Sequence, residues 1–329
     1  MPERVPPAVP DAPAPPPTDA WTALRSAAVA VPLDAVGGVR LTGPDRVPFL
    51  QGNVSADVAA TPAGGSVATL FLDPKGRPVA QASVQRRDDD LHLAVEDDAA
   101  DLVLATLRRQ RVFDDVELHD LREVLRTWTV QGPTAPDVVA AAFGARASHG
   151  AAVQRPFASA DVLLVAHDRT AEGGVDVHAL ARDAAAVADA LHGAGATPAD
   201  AATLEPSRIE AQLARVGLEA RGGVLPHEVG LERYVSTTKG CYVGQETIAR
   251  LDARAVVRRH LVRLRLDAPV PADASSLHAD GKRVGRLGGR AQHPDLGVVA
   301  LAVLQDAARD AALEVRDEDG ARHAGARVG

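Results

Sequence analysis

Residues 66–96, SVATLFLDPKGRPVAQASVQRRDDDLHLAVE, hold three apolar runs separated by two turn signals, Asp73-Pro74-Lys75-Gly76 and Asp88-Asp89-Asp90. Short runs broken by Pro, Gly and Asp predict an antiparallel meander of three strands. Before it, GVRLTGPDRVPFLQGNVSADV offers a short strand, a Gly-Pro-Asp turn and a helical piece carrying Val47, Leu50 and Val54. After it, Asp101 to Arg111 reads as a helix with Val103, Leu104 and Leu107 turned inward, and DVELHDL returns to extended chain. Strands and helices mixed in this way predict an α+β unit.

A chain of 329 residues exceeds the size at which a single core stops growing, so further domains are expected. From about Thr127 the pattern suggests a second α+β unit. TWTVQG and DVLLVAHD look like strands, and Leu180, Ala184, Val187 and Leu191 recur at helical spacing until Gly193. Beyond Arg258, HLVRLRL, GKRVGRLGG and LGVVALAVL are short strands divided by Gly and Pro turns. They predict a small closed or sandwiched β domain. Within HLVRLRL, Arg263 and Arg265 alternate with Val262, Leu264 and Leu266, which places the arginines on the solvent face. The expected division is a disordered Pro-rich tail over 1–20, α+β domains over 21–125 and 126–256 that are interwoven, and a β-barrel over 257–329.

Composition removes several function classes. The chain carries 36 Lys+Arg against 44 Asp+Glu, a net charge of −8, which argues against direct nucleic-acid binding through a cationic surface. Aromatic residues make up 3%, too few for a base-stacking platform. The tail MPERVPPAVPDAPAPPPTDA has eight prolines and no continuous apolar run, so it matches neither a signal peptide nor an anchor. No later segment reaches the ~20 apolar residues of a membrane span. One cysteine and no disulfide option fit a reducing compartment, and the cytoplasm is the expectation.

That single cysteine, Cys241, lies in TTKGCYVGQET. Alone it can hold neither a structural zinc nor a complete iron–sulfur cluster. Its surroundings are unusual: glycines at 240 and 244, Lys239 upstream, and a helix opening at Gln245-Glu246. A thiol ahead of a helix N-terminus and beside an ammonium is expected to be activated, whereas a small buried hydrophobe in a glycine-rich turn would be inert. Upstream, Arg208, Glu210, Glu219, His227, Glu228 and Glu232 crowd polar groups into one segment. A carboxylate beside an arginine can accept from adjacent N–H donors of a ring, although a solvated helix face explains the same residues. His227-Glu228 lacks the companions of a metal site, so no metal ligands are assigned. Lys75 and Arg77 belong to a hairpin turn.

In order and spacing these pieces resemble the YgfZ-type proteins, folate-binding relatives of the glycine-cleavage T-protein. KGCYVGQE, Lys239 to Glu246, matches the family signature K-G-C-[FY]-x-G-Q-E at every position. LTGPDRVPFLQGNVSADV, FLDPKGRP, RIE at Arg208 to Glu210 and LPHEVGLE support it, so the resemblance runs from about Val39 to Leu304. It implies a three-domain, cloverleaf-like α+β arrangement, T-protein-like, with a C-terminal β-barrel and a central opening for tetrahydrofolate or a derivative. It also implies a role in making or repairing iron–sulfur clusters, with client enzymes or cluster carriers as partners, including radical enzymes that modify tRNA. Carried over by position, Glu210 becomes the pterin-facing carboxylate and Arg208 its support. Lys239, Cys241, Tyr242, Gly244, Gln245 and Glu246 become a loop lining the same opening. Cys241 is the expected functional centre of that loop, and the resemblance leaves open whether its thiol makes a transient contact to an iron–sulfur cluster, meets a thiol partner or carries a one-carbon adduct.

The chain departs from aminomethyl-transferring T-proteins in two places. LAVEDDAADL lacks the asparagines that lead to their catalytic aspartate, although Asp97, Asp98 or Asp101 could stand near the pocket, and Cys241 replaces the acidic residue of K-G-D-F-I-G. Aminomethyltransferase activity is therefore not expected. RIEAQLARVG also lacks the glycine that commonly follows R-I-E, which bears on the aim of Glu210.

Overall fold

The computed structural model describes residues 14–96, 98–254, 257–317 and 319–329. The proline-rich tail lies outside the described residues as far as residue 13. Its expected end at residue 20 is corrected by helix α1 (Thr18–Ser26), whose Trp21 packs with Leu24, Val29 and Leu204. An indole buried there ties the start of the fold to residues far along the chain.

From α1 the chain enters β1 (Val29–Leu33). The first unit follows, with β2 (Gly37–Thr42), α2 (Arg46–Asn53), β3 (Gly65–Leu72), β4 (Pro78–Arg86), β5 (Leu91–Val95), α3 (Ala100–Gln110) and β6 (Glu117–Asp120). Its five-stranded sheet has the order β3-β4-β5-β2-β6. The meander occupies β3 to β5, and α2 and α3 turn Leu50, Val103, Leu104 and Leu107 onto Val39, Leu41 and Leu93 in one core.

The second unit contains β7 (Leu125–Gln131), α4 (Ala135–Phe143), β8 (Ala152–Phe157), β9 (Ala160–Ala166), β10 (Gly174–Leu180), α5 (Ala184–Gly193), β11 (Thr197–Pro198) and α6 (Ala201–Glu210). Its sheet order, β11-β1-β7-β10-β9-β8, includes the strand that precedes the first unit. Val31 of β1 lies opposite Thr129 of β7, so the whole first unit is inserted between two paired strands. Across the two sheets His92 and His178 meet edge to face, ring centroids 5.2 Å apart.

A long segment and α7 (Gln245–Arg254) lead to β12 (Arg259–Leu266), β13 (Ser276–Ala279), β14 (Lys282–His293), β15 (Gly297–Gln305), β16 (Leu313–Arg316) and β17 (Arg322–Val328). These six strands close into a barrel because β12 pairs with both β15 and β17. Val262, Leu264, Leu277, Ala302 and Val315 fill it, while Arg265 is exposed and Arg263 half-exposed outside. The outer wall also carries apolar residues. Ala291, Val299 and Leu301 receive Ile209 of α6, and Val303 joins Leu70, Ala214 and Tyr242. That second cluster unites the first sheet, the long segment and the barrel around the candidate site.

Candidate functional site

A cavity of about 450 Å³ opens where the first two units meet α6. Its walls come from the turn after β1 (Leu33 to Val36), the end of β5 at Glu96, the β9–β10 loop at His167 to Arg169, the first turns of α6, and the segments at 213–215 and 233–234. Asp200 fixes α6 there by accepting from the Thr203 backbone N–H at 2.9 Å, a side-chain cap that satisfies an otherwise orphaned donor.

One wall is an ion network. Arg169 donates to both oxygens of Glu96 at 2.8 and 2.9 Å and to Asp176 at 2.6 Å, and His167 Nδ1 lies 2.8 Å from Asp176 Oδ2. Burial alone pulls the Glu96 and Asp176 carboxyls upward, but the charge of Arg169 outweighs it and holds both below their usual values. Ligand atoms of Glu96, His167 and Asp176 lie within 4.8 Å of one another. The guanidinium of Arg169 takes one edge of each carboxylate and offsets part of their charge, so the cluster is an ion-paired strut between the two units.

The opposite wall is a second network. Glu205 accepts from Arg208 Nε at 2.9 Å and from Nη2 at 2.5 Å, and Arg208 also reaches Glu219 at 3.2 Å. Glu219 is held further by the backbone N–H groups of Arg215 and Gly289, at 2.9 and 2.7 Å. A Cβ on Gly288 would stand 2.6 Å from Glu219 Oε1, and one on Gly289 would stand 2.2 Å from Arg208 Nη2. The Gly288-Gly289 pair therefore exists for this close approach, so that a barrel strand anchors the cavity wall.

These positions correct part of the sequence expectation. Glu205, not Glu210, is the α6 carboxylate on the cavity, because five residues of helix turn the two side chains to different faces. Glu210 instead takes Arg25 at 2.9 Å and lies 3.5 Å from His293, joining α1, α6 and the barrel. Arg208 does line the cavity and supports a carboxylate, that of Glu205. Asp97 lies outside the described residues, and neither Asp98 nor Asp101 lines the cavity; Asp101 pairs with Arg122 at 2.7 Å.

The signature loop is a structural joint beside the cavity, and Lys239, Cys241, Tyr242, Gly244, Gln245 and Glu246 are not among the residues lining it. Lys239 Nζ donates to the carbonyls of Gln51, Val54 and Ala56 at 2.6, 2.6 and 2.9 Å, and burial brings its pKa down to about 8. Its ammonium also sits 4.7 Å from the centre of the buried Tyr242 ring. The charge expected to activate Cys241 is thus committed to the carbonyls at and just beyond the end of α2. Gly244, at φ +83°, lets the loop nest on the β3–β4 turn, where a Cβ would meet the Asp73 carbonyl at 2.5 Å. Gln245 and Glu246 open α7 as expected, and Glu246 pairs along the helix with Arg250. Cys241 is left exposed on the joint.

Sequence reasoning missed Glu96, His167, Arg169, Asp176 and Glu205. One signal was present: Asp176 stands between Val175 and Val177 in a strand whose only other polar side chain is His178, a place where a carboxylate survives only when paired.

Residues 18–239 match the GCVT N-terminal domain family, and residues 258–326 match the CAF17, C-terminal beta-barrel domain. The chain belongs to the CAF17/YgfZ family. Its relatives include aminomethyltransferases. That of Saccharopolyspora erythraea is 28% identical over 286 residues, covering 84% of this chain and 78% of the relative. A chloroplastic protein of Arabidopsis thaliana bearing a transferase name is 26% identical over 278 residues, 82% of this chain; the chain spans 63% of that relative's length. The glycine cleavage system aminomethyltransferase T of Bartonella henselae superposes with a TM-score of 0.80 at 19% identity, covering 94% of this chain and 87% of the other. The CAF17/YgfZ chain thus has the mixed α+β T-protein-like fold with a six-stranded C-terminal barrel. Among the described residues no helix is long and apolar enough to cross a membrane.

Proposed function

We propose that this CAF17/YgfZ chain binds a reduced folate in the central cavity and acts in the cytoplasm as an accessory protein for iron–sulfur cluster assembly or repair in client enzymes, tRNA-modifying radical enzymes among them. The observation that carries the folate reading is the cavity's donor and acceptor set. Its volume of about 450 Å³ is in the range of small-molecule sites. Glu205, held ionised by Arg208, keeps lone pairs for adjacent ring N–H donors. Gln81 adds an amide, and Arg233 supplies positive charge for a carboxylate tail. The bound folate would supply one-carbon chemistry, and the protein's own groups bind and orient it.

Cys241 supports the accessory reading, because an exposed thiol on a rigid joint is presented outward, where a partner can meet it. One thiol cannot hold a cluster alone, so any iron would be shared with thiols of the partner. The relatives' aminomethyltransferase names favour a one-carbon transferase as the second reading. Against it, Glu96 at the end of β5 is locked to Arg169 and is unsuited to act as a free catalytic base.

A deletion strain rescued with wild type or Cys241→Ala, assayed for iron–sulfur enzyme activity and tRNA methylthiolation, tests the reading. Wild type should restore both and the variant neither. Equal rescue by both would remove the thiol from the function, and glycine decarboxylation coupled to methylene-tetrahydrofolate at T-protein rates would favour the transferase.

A further inference from the structure

At the junction of the long segment with the barrel, the turn Arg221-Gly222-Gly223 is gripped by two barrel arginines. Arg286 Nη2 donates to the Arg221 carbonyl at 2.8 Å, and Arg259 Nη2 donates to the Gly223 carbonyl at 2.8 Å. The guanidinium of Arg286 lies so close that a Cβ on Gly222 would meet its Nη1 at 2.5 Å. Gly222 and Gly223 have φ of +60° and +82°, a backbone that permits the approach. A fourth arginine joins them through an irregularity in β14. Arg286 pairs with Ser276 and Arg283 with His278, so the extra residue between them returns both arginines to one face of the strand.

Three of these four arginines lack a salt-bridge partner among the described residues. Arg259 is paired with Glu228 at 2.7 Å. Among the described residues, however, Arg221, Arg283 and Arg286 make no salt bridge, and Arg221 Nε is buried without a hydrogen-bond partner. Nearby carboxylates are committed elsewhere. Glu219 serves Arg208 and two backbone N–H groups, and Glu314, across β13 on the same face, serves Arg316. Burial, followed by the charges of Arg221, Arg283 and Arg259, pushes Arg286 down to about 10. Like charges held together at such a cost call for an anion between them.

We propose that Arg221, Arg283 and Arg286 form a binding site for a phosphate-class polyanion, a diphosphate or phosphate monoester, separate from the folate cavity. Guanidinium forks match phosphate oxygens in pairs, and three of them suit a ligand with two or more negative charges. Arg286 Nη2 also lies 3.5 Å from the Glu219 backbone carbonyl, so occupancy of the site bears on the residue whose buried carboxylate braces the cavity wall.

The test is calorimetric titration of the full chain with pyrophosphate, with potassium chloride of matched ionic strength and citrate as controls. Wild type should bind one pyrophosphate and bind citrate more weakly. Arg221→Gln and Arg283→Gln, whose side chains hold no salt bridge in the fold, should each weaken binding about tenfold or more. Arg233→Gln, in the cavity, should leave it unchanged. Without anion, Arg221→Gln should melt no lower than wild type, because it relieves repulsion. The proposal is overturned by absent pyrophosphate heat, by equal affinity in the arginine variants, by equal binding of citrate, by loss of binding in Arg233→Gln, or by a lower melting temperature of anion-free Arg221→Gln.

Discussion

Arg169 and Glu96 meet fork to fork, Nη1 to Oε2 at 2.8 Å and Nη2 to Oε1 at 2.9 Å, and so tie the β9–β10 loop of the second unit to the end of β5 in the first. The pair is both a wall of the cavity and a bond between two units. Removing Glu96 leaves the guanidinium with Asp176 alone. Glu96→Gln should therefore lower unfolding stability by about 3 kcal/mol, read as a fall in the urea midpoint with an unchanged slope.

Acid stability should be governed by the histidines between the sheets. His92 Nδ1 lies 2.7 Å from Gln85 Oε1 and His178 Nδ1 lies 2.9 Å from Thr127 Oγ1. Burial is the main cause lowering both, His178 to about 4 and His92 well below its ordinary value. The folded state thus keeps them neutral, while the unfolded chain protonates near 6.5. Their contribution is present above about pH 6.5 and is lost as pH falls toward 4, about 3 kcal/mol for His178 alone. His178→Gln should flatten the stability profile between pH 6.5 and 4; a profile as steep as wild type would count against this assignment.

Lys239 should matter for the joint. Replacing it with Met leaves the carbonyls of Gln51, Val54 and Ala56 without a shared donor, a cost of about 2–4 kcal/mol. Limited proteolysis should then cut within 236–246 in the variant before wild type is cut at all.

Cys241→Ser should fold and melt as wild type does, because the thiol is exposed and serine fits the same turn. In the deletion strain it should nevertheless fail to restore iron–sulfur enzyme activity, since the hydroxyl is a far weaker nucleophile and metal ligand.

The legible parts of this molecule were those with a period. The meander of β3 to β5, the inward face of α3 and the alternation of β12 all show in the spacing of apolar residues. Helix α4 was missed although its buried Ala135, Val138, Val139 and Phe143 recur at helical spacing, because the alanines that make up much of its other side blur the contrast between the faces. The pairing of β1 with β7 was invisible for another reason, since nothing in either strand reports a partner about 100 residues away. At the site, the R-I-E motif pointed to α6 but not to which carboxylate faces the cavity. That is set by the rotation between Glu205 and Glu210, which depends on how α6 seats against the barrel through Ile209. Gly288-Gly289, at the end of the strand-like GKRVGRLGG, carried no sign in sequence of the clearance they provide for Arg208 and Glu219.

The central claim is that a reduced folate occupies the cavity walled by Glu205. Calorimetric titration with a stable reduced folate such as 5-formyltetrahydrofolate measures it directly, using wild type and three variants. Ala201, exposed on the first turn of α6, lines the cavity, so Ala201→Trp fills it without disturbing the core. Wild type should bind, Ala201→Trp should not, Glu205→Gln should bind about tenfold more weakly, and Glu210→Gln should match wild type. No heat with wild type, or equal affinity in Ala201→Trp, would contradict the account.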